Sequence, residues 1–310
     1  MRLNIIFTVL SLGLLASCQK DIDIFIPDVN QSALDSSWTA SPPTELPIQA
    51  SIFLPPQKDT IRFLGTGPFT FLASSGLTLQ MRVGQWIDSS NVPANISPYY
   101  LESHWITRKG DLIRAQLDLT GTNAVIRTNG VSLVQLKNRN GGLLRVAPGS
   151  LFTFSVSSGP AQPDLFLRNT NWVPPTDSIN RVRYNAQAQR LEFQTQFIGW
   201  MAAGNSLPLI AGNQVFITAP ANFGNSNTLV YVMGDSDNWI RRASGNHTLR
   251  RFELNGLPSA NTLRVVGISL INGQYYWANS TMTAAAGTSS LALTFSSTSL
   301  AGLLQALANL

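Results

Sequence analysis

The sequence predicts an all-β protein: two antiparallel β-sandwich domains closed by a short C-terminal helix. Three observations carry this reading. Apolar and polar residues alternate with period two along run after run from residue 48 onward, the pattern of strands with one face in a core and the other in water. Asn-Gly and Gly-Gly pairs punctuate these runs, as tight antiparallel connections require. Charged residues make up only 12% of the chain, about half the usual share, and the abundance of Ser, Thr, Asn and Gln suits an exported β-protein.

Taken in order, residues 1–17 read as a signal peptide. Arg2 supplies a basic start, residues 5–16 an apolar core, and Ala16-Ser17 small residues before a cut. The apolar run falls short of the ~20 residues that a membrane-spanning helix needs. Cys18 follows and is the only cysteine in the 310 residues. Leu15-Ala16-Ser17-Cys18 resembles the lipobox of bacterial lipoproteins, which are cut before the cysteine and carry a diacylglycerol on its thiol. The resemblance implies lipidation at Cys18 and a membrane partner held through that lipid, since two or more acyl chains anchor stably. A lipidated Cys18 leaves no disulfide and no thiolate chemistry.

Residues 18–47 read as a tether, with Asp21, Asp23, Asp28 and Asp35 followed by Pro42, Pro43 and Pro47; polar, proline-containing sequence stays extended. Gln19-Lys20-Asp21 resembles the surface-export signal of Bacteroidetes lipoproteins, which implies display at the cell surface; a tether facing the periplasm is the alternative.

Residues 48–168 are expected to form the first sandwich and 177–297 the second, with the break at 169–176 around Trp172-Val173-Pro174-Pro175. In the first, Leu77, Leu79, Met81 and Val83 alternate with Thr78, Gln80 and Arg82. Ile113, Ala115, Leu117 and Leu119 alternate with Arg114, Gln116 and Asp118. Asn129-Gly130 is placed to join residues 124–126 to 131–134, and Asn140-Gly141-Gly142 to join 133–136 to 143–146, giving a meander over 123–156. In the second, Leu191, Phe193 and Phe197 oppose Arg190, Glu192, Gln194 and Gln196, and Asn272-Gly273 joins 265–268 to 275–277. Leu300, Leu303, Leu304, Leu307 and Leu310 follow i, i+3, i+4, i+7 spacing, so 299–310 reads as a helix packed on the second sandwich.

This order of segments resembles uncharacterised Bacteroidetes cell-surface lipoproteins. The residues that carry the resemblance are the lipobox, Thr128-Asn129-Gly130, the run Gly141-Gly142-Leu143-Leu144-Arg145-Val146-Ala147-Pro148-Gly149, Gly199-Trp200, and Asn272-Gly273-Gln274-Tyr275-Tyr276. Where those proteins carry Asn and Asp after the Gly-Trp pair, this chain has Met201-Ala202-Ala203. The resemblance implies the all-β class and an outer-membrane address, and it implies no activity.

The formal net charge of +5 comes from scattered basic residues without an aromatic-basic stripe, so no nucleic-acid partner is expected. Glu102 and His104 share a strand face and could act as acid and base; with no nucleophile motif beside them they read as a surface hydrogen bond, and Tyr99, Tyr100 and Trp105 nearby would suit a sugar platform. There is no Gly-x-Ser-x-Gly elbow and no phosphate loop. His104 and His247, the two histidines, cannot make a three-His zinc site. Asp235-Ser236-Asp237-Asn238 begins like a calcium loop, but Ile240 and Asn246 stand where glycine and glutamate are required, so it reads as a turn. No catalytic residue, metal or cofactor is expected.

Trp86, Trp105, Trp172 and Trp239, each with polar neighbours, are the candidate contacts for a glycan or an envelope-protein partner, although indoles serve equally as core anchors. Thr60 in Asp59-Thr60-Ile61 and Ser178 in Asp177-Ser178-Ile179 resemble Bacteroidetes O-glycosylation sites. The expected function is a lipid-anchored, non-enzymatic binding, adhesive or structural module at the bacterial outer membrane. A carbohydrate-binding accessory lipoprotein of a glycan-uptake system is the alternative, and a hydrolase with a scattered site is the third reading.

Overall fold

The computed structural model describes residues 36–62, 67–94, 98–159, 161–259, 262–284 and 286–310. Cys18, the expected signal peptide and residues 18–35 of the expected tether lie outside the described residues. The fold is all-β. Two sheets face each other in its first half. One has the order β1 (Gln57–Ile61), β5 (Tyr99–Ile106), β6 (Ala124–Lys137), β13 (Gly199–Pro208), β9 (Asp164–Arg168) and β10 (Trp172–Val173). The other has the order β11 (Arg181–Asn185), β12 (Arg190–Thr195), β8 (Phe152–Ser157), β3 (Thr78–Met81) and β2 (Phe69–Leu72). Alternation places Leu79, Phe152, Phe154, Leu191 and Phe193 of the second sheet against Tyr99, Leu101, Val134, Leu136 and Met201 of the first. Phe154 and Phe193 stack with ring centroids 4.4 Å apart. A two-stranded ribbon of β4 (Trp86–Ile87) and β7 (Arg145–Val146) packs its Trp86 and Val146 into the same core.

The second half pairs a four-stranded sheet, β17 (Ser244–Asn246), β18 (Arg251–Leu257), β14 (Ile210–Thr218) and β21 (Thr288–Ala292), with a five-stranded one. The latter runs β16 (Ile240–Arg242), β15 (Thr228–Gly234), β19 (Thr262–Ile271), β20 (Gln274–Thr283) and β22 (Ser296–Thr298). Asn272 and Gly273 close the β19–β20 hairpin at φ +51° and +78°, the two left-handed residues that a type I′ turn demands. Asn138 N–H donates to Gly142 C=O around the expected Asn140-Gly141-Gly142 turn.

Four expectations are corrected. The sandwich boundary does not fall at 169–176, because β11, β12 and β13 belong to the first pair of sheets. β13 fills the slot between β6 and β9; without it both strands would present unpaired backbone groups in mid-sheet. The first sandwich therefore reaches residue 208 and the second begins at 210. The described part of the expected tether is folded, with Leu46 buried and Trp38 against Phe252 at 5.0 Å. Asn225 holds both backbone groups of Thr39, its Oδ1 accepting from Thr39 N at 2.9 Å and its Nδ2 donating to Thr39 O at 2.8 Å.

The run at 113–120 is not a strand: a helix, α2 (Lys109–Arg114), occupies its start and buries Leu112 and Ile113. Asn129-Gly130 is not a turn, since residues 124–137 form one continuous strand with a register shift opposite Ala203 and Gly204. Gly130 is instead required by the Trp105 indole, which a Cβ there would meet at 2.1 Å.

The expected C-terminal helix is present as α3 (Leu300–Ala308), capped by Ser299 Oγ, which accepts from Gly302 N at 3.0 Å. It touches β20, α2 and a further helix, α1 (Pro47–Ile52). These helices fill the seam between the sandwiches, where Ile48, Ile52, Leu112, Leu303 and Leu307 join Ile106, Val131 and Phe166 from the back of the six-stranded sheet. β15, with this layer on one side and its own sandwich on the other, is buried at every position. Backbone hydrogen bonds also cross the seam, from Leu119 N to Ile240 O at 3.0 Å and from Thr128 N to Asn238 O at 2.9 Å. Among the described residues no helix is long and apolar enough to cross a membrane.

Candidate binding face

The four candidate tryptophans do not form a ligand surface. Trp86, Trp172 and Trp239 are at most 1% exposed, which leaves no ring face for a sugar. Trp86 meets Phe152 edge-on at 5.2 Å. Trp172 is fastened by its Nε1, which donates to Asp118 O at 2.7 Å. Trp105 is half-buried over Gly130 and edge-on to Phe193 at 6.3 Å. All four act as core anchors, the use that indoles share with binding sites.

Glu102 and His104 are engaged elsewhere rather than with each other. Glu102 pairs with Lys137 at 2.8 Å and with Lys58 at 3.8 Å. His104 is buried, stacks parallel to Trp200 at 5.8 Å, and is held by the Leu54 carbonyl; burial pulls its pKa down. Asp235 to Asn238 form the turn from β15 to β16, with Asp235 paired to Arg264 at 2.7 Å and Asp237 to Arg127 at 3.5 Å. Among the described residues, no three His, Cys, Asp or Glu side chains group as metal ligands. Thr60, on the edge strand β1, and Ser178 are both exposed. Ser178 sits in a turn organised by Asp177 Oδ1, which accepts from the backbone N–H of Asn180 and Ile179; those bonds pull the Asp177 pKa down.

The structure instead assembles a polar surface from the outward halves of five strands. Register aligns Arg181, Gln194, Thr153, Gln80 and Thr70 in one row across β11, β12, β8, β3 and β2. The next row is Arg183, Glu192, Ser155, Thr78 and, at the edge, Leu72. Two adjoining troughs, of about 780 and 370 Å³, run over these rows and share Gln80, Thr153 and Gln194 as floor. The loops at 82–85 and 149–151 wall one end, tied by Gln85 Nε2 to Leu151 O and by Gln196 Nε2 to Ser150 O.

At the β11–β12 end the row residues hold one another in place. Arg181 Nε donates to Gln194 Oε1 at 2.9 Å, and Arg183 Nε to Glu192 Oε2 at 2.9 Å. Asn185 Nδ2 donates to the other Glu192 oxygen at 2.7 Å; that bond, with Arg183, pulls the Glu192 pKa down. Amides, hydroxyls and guanidinium groups thus stand on a rigid sheet with donors and acceptors turned outward, an arrangement suited to exchanging hydrogen bonds with a polar ligand. A further cavity of about 650 Å³ opens where β9 and β11 meet at the sandwich edge, its lining mixing apolar Ile126, Phe166 and Val182 with polar Asn123, Asp164 and Arg181. No protein-family profile matches this chain, and no curated protein sequence matches it.

Proposed function

We propose that this chain is a non-enzymatic binding module, held at the outer membrane through lipid on Cys18, with the polar outer face of the five-stranded sheet as its ligand surface. The observation that carries the reading is the pair of polar rows running across that sheet. Folding asks only that the outward half of each strand be soluble. Aligned rows of Gln, Thr, Arg and Glu side chains, braced where Arg181 meets Gln194 and Arg183 meets Glu192, go further and favour a hydroxyl-rich ligand such as an oligosaccharide. That makes the carbohydrate-binding accessory lipoprotein the preferred form of the reading, with an envelope-protein partner as the other occupant.

The test is a glycan array followed by titration of the best binder. Thr153→Val with Gln194→Ala, on the floor of both troughs, should abolish binding while leaving the melting temperature close to that of the parent. Binding untouched by this pair would refute the face. The anchor is tested separately: Cys18→Ser should eliminate acyl labelling, and protease shaving of intact cells distinguishes surface from periplasmic display.

A further inference from the structure

A cleft of about 430 Å³ lies in the seam where β9 and β10 of the first sandwich meet β16 and β18 of the second, and three arginines line it: Arg168, Arg241 and Arg242. Arg168 projects from β9 with its guanidinium over the Trp172 ring, 5.8 Å from the centroid. Among the described residues no hydrogen bond or ion pair holds that guanidinium. Arg241 is a brace: its Nε donates to Thr120 Oγ1 at 3.0 Å, and its Nη1 donates to Asn255 O at 3.0 Å and to Gly256 O. Arg242 gives its backbone N–H to Asp118 Oδ2 at 2.9 Å and leaves its side chain exposed.

The acids in this cleft do not balance that charge. Asp118 accepts only from neutral groups, Oδ1 from the backbone and hydroxyl of Thr120 and Oδ2 from the Arg242 backbone, so its charge offsets one of the three guanidinium groups. Glu253 is taken by Arg251 Nε at 2.7 Å and Asn246 Nδ2 at 3.1 Å. Burial disfavours the charged forms of both Arg168 and Arg241, opposed only by the Asp118 charge. The rest of the wall is uncharged, polar at Thr170, Asn171 and Ser244 and apolar at Trp172 and Leu254.

We propose that this cleft binds a small hydroxylated oxyanion, a sugar acid or a sugar phosphate, gripped by Arg168 from one sandwich and Arg242 from the other. A guanidinium fork matches the two oxygens of a carboxylate or phosphate, and the neutral wall takes the hydroxyls. Because the two arginines come from different sandwiches, the ligand also clamps the seam and stabilises the folded state by mass action. The site stands apart from the polar sheet face and does not depend on it.

The experiment is calorimetric titration of the full chain with glucuronate, glucose 6-phosphate, inorganic phosphate and glucose. Glucuronate, glucose 6-phosphate or both should bind, identifying the anion as carboxylate, phosphate or either. Arg168→Gln and Arg242→Gln should each weaken that binding about tenfold or more, and Arg168→Lys should fall between the parent and Arg168→Gln. Arg242 is exposed, so its variant keeps the test open should Arg168→Gln fail to fold. Failure of both sugar anions to bind overturns the proposal, as does binding that neither glutamine variant changes. Glucose binding that the glutamine variants weaken as they weaken glucuronate removes the anion requirement, and inorganic phosphate binding as well as glucose 6-phosphate removes the sugar; either result also overturns it.

Discussion

Gly110→Ala should cost this protein more stability than any property of alanine in a helix would suggest. Gly110 sits in the first turn of α2, facing α3, and a Cβ built there would stand 1.8 Å from the Leu307 carbonyl oxygen and 2.5 Å from its carbon. Non-bonded atoms are comfortable at about 3.5–4.0 Å, so the helix backbone must retreat by roughly 2 Å. It cannot do so freely, because Leu303 and Leu307 are both fully buried in the seam. Overpacking of this kind costs ~1–3 kcal/mol. Partial undocking of two buried leucines adds a fraction of the ~2–5 kcal/mol that each Leu→Ala change would cost. Against this, alanine gains at most ~1 kcal/mol over glycine in a helix. The expected net loss is about 2–4 kcal/mol, read as a fall in the urea midpoint. Hydrogen exchange should accelerate in the amides of α3 and not in the sheets. A midpoint equal to the parent's, or raised as helix propensity alone predicts, would refute the close docking of α3 on α2. Leu307→Ala supplies the companion measurement, since it should destabilise a docked helix and leave an undocked one unchanged.

Two further outcomes follow from buried groups. Burial holds the His104 pKa below its ordinary value, against the raising effects of the Leu54 carbonyl and Asp111. Below about pH 6.5 the unfolded chain therefore binds a proton that the folded chain refuses, and stability falls as pH drops from there toward the depressed folded value. Urea midpoints measured from roughly pH 7.5 to pH 5 should decline less steeply in His104→Gln, and equal slopes would sink the argument. Trp172→Phe deletes a buried donor bonded to the Asp118 carbonyl, whereas the Nε1 atoms of Trp86 and Trp239 are buried with no hydrogen-bond partner among the described residues. Trp172→Phe should therefore destabilise by about 1–3 kcal/mol more than Trp86→Phe or Trp239→Phe; equal losses in all three would show that the hydrogen bond contributes nothing.

Local pattern was a sound guide wherever the structure is local. The β19–β20 hairpin could be read from Asn272-Gly273 because both residues adopt positive φ in the turn itself. The same dipeptide at 129–130 misled because Gly130 is chosen by a contact with Trp105, a strand away, and no dipeptide rule contains that ring. Apolar alternation likewise marked the inward faces of β3 and β12, but not their neighbours. β8 lies between them in the sheet, and the return of β11–β13 to the first sandwich is a matter of non-local pairing that proline and tryptophan at 169–176 could not announce. The run at 113–120 failed for another reason: Ile113, Ala115, Leu117 and Leu119 are all buried, but from the end of a helix and the loop after it, and a period-two count registers burial without the backbone pairing that makes a strand.

The candidate site was legible in halves. Its residues were already visible as the polar members of each alternating run: Thr78 and Gln80 on β3, Glu192 and Gln194 on β12. Register alone turns those pairs, with Thr153 and Ser155 and with Arg181 and Arg183, into rows. The tryptophans failed as site residues because the polar groups around them are tied into the fold rather than turned to a ligand. Trp172 donates its Nε1–H to Asp118 O, and Asn238, beside Trp239, donates from its Nδ2 to Thr107 O and Thr128 O across the seam; both rings are buried. On a half-buried sheet, ligand-facing residues are therefore better sought as polar pairs at i and i+2 than as aromatics with polar neighbours.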